Sequence, residues 1–102
     1  MYTLITAANS SEAYALKNTL NSVAVLLGDY HELPEILIRS GKIIQLPNPT
    51  DSSYTHRILA LCLDKNIDAI YPLRQEEREL LVNSRQLFSE YDIDIFLSDA
   101  VH

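Results

Sequence analysis

Three short stretches of this sequence carry side chains suited to recognising a small polar molecule. Asn9 and Ser10 open the helix-like run "NSSEAYALK", Asp29 closes the apolar run "VLLGD", and Arg74, Glu76 and Glu77 crowd into "PLRQEERE". An amide and a hydroxyl at a helix start can bond the helix's own free N–H groups, or leave those groups to hold an anion. Asp29 stands where dinucleotide-binding folds keep an acid for a ribose hydroxyl, and it serves equally as a loop cap. Glu76 and Glu77 are favoured by the positive end of a helix, and Glu77 could also accept a bond from a substrate amine or hydroxyl. At ~100° per residue, Arg74, Arg78 and Arg85 share one stripe, where they either pair with nearby acids or grip an acidic partner.

What the sequence lacks narrows the chemistry. The turn "TAANSSEA" has none of the glycines that let a backbone approach a pyrophosphate, which argues against a dinucleotide at this turn and weakens the ribose reading of Asp29. A small carboxylate or amine suits the turn better. His31, His56 and His102 show no metal-ligand spacing, and no Ser, His and acid set can be placed in one site, so neither a metal nor a catalytic residue is expected. Cys62 is the only cysteine and reads as a core thiol. Eight Lys and Arg against fourteen Asp and Glu give a net charge of −6, which repels nucleic acid and anionic membranes. No apolar run approaches the ~20 residues of a membrane span, and a cytoplasmic chain is the expectation.

The elements that must position these groups follow from periodicity. Five short runs rich in Ile, Val, Leu and Tyr, "YTLIT", "SVAVLLG", "KIIQLP", "DAIYPL" and "DIDIFLS", have strand length and are apolar at consecutive positions, as in strands covered on both faces. Between them, helices are expected over 10–21, led by an Asn9–Glu12 capping box, over 52–65 after an Asp51 cap, and over 74–91. In the last of these, Glu77 leads a stripe of Leu80, Ser84, Leu87 and Tyr91, with Leu81 and Val82 exposed on the arginine side. Pro34 confines the remaining connection to a brief helix over 35–39 that Gly41 ends. Tyr54 and His56 read as the start of their helix. Strict alternation predicts one α/β domain over 1–102: a mostly parallel five-stranded sheet of order 3-2-1-4-5 with helices on both faces. In such sheets the loops 7–11, 28–31 and 72–77 meet at the switch point, where ligands bind.

The pieces "LITAANS", "VLLGD", "QLPNPTDSSYTHRILALCLDKNIDAIYPLRQEE" and "IDIFLSD", in that order, resemble the pre-ATP-grasp domain, the three-layer Rossmann-like N-terminal domain of ATP-grasp ligases similar to the carbamoyl-phosphate synthase large subunit. The resemblance spans nearly the whole chain and is strongest over 45–77. It implies that ATP, Mg²⁺ and acyl-phosphate chemistry belong to an ATP-grasp catalytic domain outside these residues, leaving no cofactor and no activity of its own to this chain. It also implies a non-catalytic, substrate-side role in a carboxylate-amine ligase, with Asn9, Ser10, Asp29, Arg74, Glu76 and Glu77 as candidate contacts. The alternative is an interaction module that pairs with itself or with a separate ligase chain and takes no small ligand.

Overall fold

The computed structural model describes residues 2–8, 10–20, 24–41 and 43–97. The elements run β1 (Tyr2–Ile5), α1 (Ser11–Thr19), β2 (Val25–Asp29), α2 (Glu35–Arg39), β3 (Ile43–Gln45), α3 (Tyr54–Lys65), β4 (Ile67–Tyr71), α4 (Gln75–Val82), α5 (Arg85–Ser89) and β5 (Asp94–Ile95). The five strands lie in the order β3-β2-β1-β4-β5, and every pairing is parallel. This is the α/β Rossmann-like sheet that the alternation predicts.

Successive strand residues face opposite sides, so Leu4 and Ile5, both 0% exposed, enter different cores. The larger core joins Leu4, Ile70 and Ile95 of the sheet to Tyr54, Ile58 and Cys62 of α3, Leu81 of α4 and Phe88 of α5. Burying a side chain the size of Phe88 contributes about 2–3 kcal/mol before entropy is set against it. The smaller core sets Ile5, Leu27 and Ile43 against Ala13, the one buried residue of α1, while α2 buries none of its side chains.

Three helix boundaries differ from expectation. The N-cap of α1 is Ser10, whose Oγ accepts from the Ala13 N–H at 3.2 Å, in place of a cap at Asn9, which lies outside the described residues. Asp51 caps a turn instead of α3: its carboxylate accepts from the Ser53 N–H, its carbonyl from the Tyr54 N–H, and the helix begins at Tyr54. The helix expected over 74–91 is two helices, parted at Asn83 and Ser84, residue types whose side chains compete with helical backbone bonds. Its inward stripe runs through Glu77, Leu81 and Phe88, so Leu81 is wholly buried and not exposed, whereas Val82 and Tyr91 are exposed. The apolar doublets Leu80–Leu81 and Leu87–Phe88 allow the stripe to be drawn through either member, and packing selects the second. Expectation and structure agree at α2, which spans Glu35–Arg39 and ends in Gly41 at φ 75°, a backbone state that glycine enters without steric penalty. The C-cap of α3 is left-handed too, at Asn66 with φ 58°, and its N–H returns to the Cys62 carbonyl.

Candidate functional site

The three loops meet at the carboxyl ends of β1, β2 and β4. The Ala8 N–H donates to the Gly28 carbonyl at 3.1 Å, the Thr6 N–H to the Tyr71 carbonyl at 3.2 Å, and the Leu73 N–H to the Thr6 hydroxyl at 2.8 Å. These bonds tie the ends of the central strands into one rim. Ala7, where a nucleotide-binding turn would carry glycine, adopts a left-handed φ of 54° while only 4% exposed. That conformation costs a residue with a Cβ about 1–2 kcal/mol.

Across the rim, Arg74 grips Asp29. Its Nη2 stands 3.0 Å from Oδ2 and its Nε 3.3 Å from Oδ1, and the Asp29 side chain is 0% exposed against 22% for Arg74. Burial alone would lower the guanidinium's pKa, and the bonds to Asp29 outweigh it and raise the value. The Arg74 guanidinium also lies 5.1 Å over the Tyr30 ring, which stacks at 4.5 Å on His31. Tyr30 then donates its hydroxyl to Glu76 at 2.5 Å, a bond that holds the Glu76 carboxyl below its ordinary range and raises the Tyr30 phenol. Gln45 steadies the loop after β2: its amide nitrogen reaches the carbonyls of Asp29, Tyr30 and His31 at 3.1–3.2 Å.

A pocket of about 270 Å³ opens beside this cluster, lined by Ala7, Ser10, Glu12, Arg74, Gln75 and Glu76 among others. A wider hollow of about 360 Å³ lies between α4 and Leu97, lined by Gln75, Arg78, Glu79 and Val82, and includes none of the sequence candidates. Of the sequence candidates, Ser10, Arg74 and Glu76 line the smaller pocket, and Asp29 stands behind Arg74. Glu77 does not reach it: it is 0% exposed, turned toward the larger core, where Oε2 accepts from the Tyr54 hydroxyl at 2.9 Å. The arginine stripe also separates, because Arg74 is the N-cap of α4 and is drawn to Asp29, while Arg85 begins a different helix and is exposed.

Sequence reasoning missed Tyr30, Gln45 and Glu12. Tyr30 directly follows Asp29 at the strand end, which was the available signal. Gln45 has none, since its role depends on the register that pairs Asp29 with it. In the sequence, Glu12 signals only a capping box.

No helix of the described residues is long and apolar enough to cross a membrane. A search of curated proteins finds no match to the chain. The family model described as "PylC-like, N-terminal domain" matches residues 4–96, which include every strand from the middle of β1 through β5 and the entire rim described above. The chain therefore belongs to the PylC-like N-terminal domain family, the pre-ATP-grasp Rossmann-like domain of ATP-grasp ligases.

Proposed function

We propose that this chain is a single substrate-side domain, without catalytic residues of its own, that presents a small carboxylate or amine to the ATP-grasp catalytic domain of a carboxylate-amine ligase, one similar to the carbamoyl-phosphate synthase large subunit. In this reading ATP and Mg²⁺ are held by the catalytic domain. The observation that carries it is the Asp29–Arg74 pair at the sheet switch point, beside a pocket whose lining includes Arg74, Glu12 and Glu76. Such an arrangement offers a cation to a carboxylate and carboxylates to an ammonium within one small volume. Ala7 at the same rim holds a left-handed backbone, the kind of strain that clusters at ligand sites. A second reading, docking without a small ligand, is favoured by the exposed apolar residues of α2, where Ile36 is 76% exposed.

A thermal-shift screen of the chain against amino acids, small carboxylates and amines separates the two. A ligand at 100 times its Kd adds about 2.7 kcal/mol of apparent stability, which is several degrees for a domain this small. Under the first reading one of these classes raises the midpoint of the wild type, and Glu76→Ala or Arg74→Lys diminishes the rise. Indifference to every compound, together with concentration-dependent sedimentation, would instead leave the docking reading standing.

A further inference from the structure

Glu77 is a fully buried carboxyl that does not line the pocket. Its side chain is 0% exposed, and Oε1 has no hydrogen-bond partner. Oε2 accepts from the Tyr54 hydroxyl at 2.9 Å. Among the described residues, the groups that act on it are the following. Tyr54 stands on α3 and Asp29 at the end of β2, while Arg74 caps its own helix. Glu76 and Cys62 act on the Tyr54 phenol. Just past the end of β1, the Thr6 hydroxyl also favours the charged form, yet it makes no hydrogen bond with Oε1. Of these groups Arg74 is the cation, and it is turned to Asp29 with Nη2 at 3.0 Å.

A buried carboxylate is stable when donors surround both oxygens, and an Oε1 without a partner does not meet that need. The neutral acid asks for less. Its position matters because Glu77 is in the first turn of α4, where its N–H donates to the Arg74 carbonyl at 3.1 Å. That turn carries Arg74 and Glu76 to the pocket.

We propose that Glu77 is a proton-linked positioning residue: the folded domain holds it as the neutral acid, and removing its proton loosens the α4 turn that presents Arg74 and Glu76 at the rim. The inference stands whether or not the pocket takes a small molecule. Burial pushes the Glu77 carboxyl above its ordinary 4.5, with Asp29 adding to the rise and Tyr54, Thr6 and Arg74 opposing it. Because the folded value exceeds the unfolded one, the bound proton's contribution is complete below the unfolded pKa and is lost as pH rises through the folded pKa.

Two measurements on the full chain test this. In the first, the Glu77 side-chain carboxyl carbon of the wild type is titrated by NMR while the backbone amides of Arg74, Gln75 and Glu76 are followed. The expected result is a Glu77 midpoint above 4.5 and amide shifts that track it. A midpoint at or below that value overturns the neutral acid, and amides indifferent to the Glu77 titration overturn the coupling to the rim. In the second, unfolding by urea is followed across pH for wild type, Glu77→Gln and Glu77→Ala. Glu77→Gln should match the wild type at low pH and lack its decline at higher pH, whereas Glu77→Ala should be weaker throughout. A Gln variant that declines in parallel with the wild type would overturn the proposal.

Discussion

At the scale of single residues, the Asp29–Arg74 pair decides how the rim is held. The two partners are not equivalent, because Asp29 is wholly buried while Arg74 retains 22% exposure. Removing Arg74 strands a carboxylate out of reach of water, a loss of about 3–5 kcal/mol in comparable buried pairs. Neutralising Asp29 as Asn keeps an acceptor for the His31 N–H, which Oδ1 now binds at 3.2 Å, and leaves the guanidinium against the Tyr30 ring. Arg74→Ala should therefore cost on the order of 3 kcal/mol in the wild type but about 1 kcal/mol on an Asp29→Asn background. Urea denaturation of the four proteins of this cycle measures the difference. Costs of Arg74→Ala that agree within about 0.5 kcal/mol on the two backgrounds would mean that the pair is solvated and does not hold the loops together.

At the scale of elements, the close approach of β2 and the chain leaving β3 depends on Gly28. A Cβ at this position would meet the Leu46 Cγ and Cδ2 at 2.9 Å, and Leu46 is 3% exposed with its N–H bonded to the Asp29 carbonyl at 2.8 Å. Gly28→Ala should destabilise by about 1–3 kcal/mol through overpacking. Leu46→Ala, at about 2–5 kcal/mol on the wild type, should cost clearly less on the Gly28→Ala background, where the new methyl enters the vacated space. Additive losses in thermal or urea unfolding would refute this account of the glycine. Much at this scale was legible in advance. Alternating strand and helix patterns lead to the parallel order with β1 at the centre, because right-handed crossovers leave few other arrangements, and Pro34 with Gly41 bounds α2. The phase of the stripe through α4 and α5 was not legible, since Leu80 and Leu81 are chemically alike and only packing separates them. Nor was the partner of Arg74, because Asp29 is 45 residues away and reaches it only once β2 and β4 have taken their places beside β1. The same distance hid the turning of Glu77 toward Tyr54, which sits 23 residues earlier on α3.

At the scale of the whole molecule, the two faces of the sheet are unequally held. On one, α3, α4 and α5 close over a core that includes Tyr54, Ile58, Leu81 and Phe88, none more than 1% exposed. On the other, α1 contributes Ala13 alone as a fully buried residue and α2 contributes none, while Tyr71 and Phe96 meet at 4.8 Å with Phe96 still 41% exposed. Cooperativity follows buried contact, so the two faces should not open together. Amide exchange in the native state should find Leu4 and Ile70, at the β1–β4 centre, released only by global unfolding, for which about 5–15 kcal/mol is the usual range. The amides of Leu37 and Ile38, bonded back to the Pro34 carbonyl at 3.0 and 3.4 Å in a helix with no buried side chain, should exchange through local openings lying far below that. The buried Cys62 offers a second reporter on the strong face, since burial pushes its thiol up to about 12 and a thiol reagent should modify it no faster than that face opens. Protection of α2 equal to that of β1 would contradict this division. If that protection rose with protein concentration, the apolar side chains of Ile36, Leu37 and Ile38 would be covered by another copy of the chain, and the docking reading would gain over the ligand reading. If it did not, both faces would unfold as one unit despite their unequal cores.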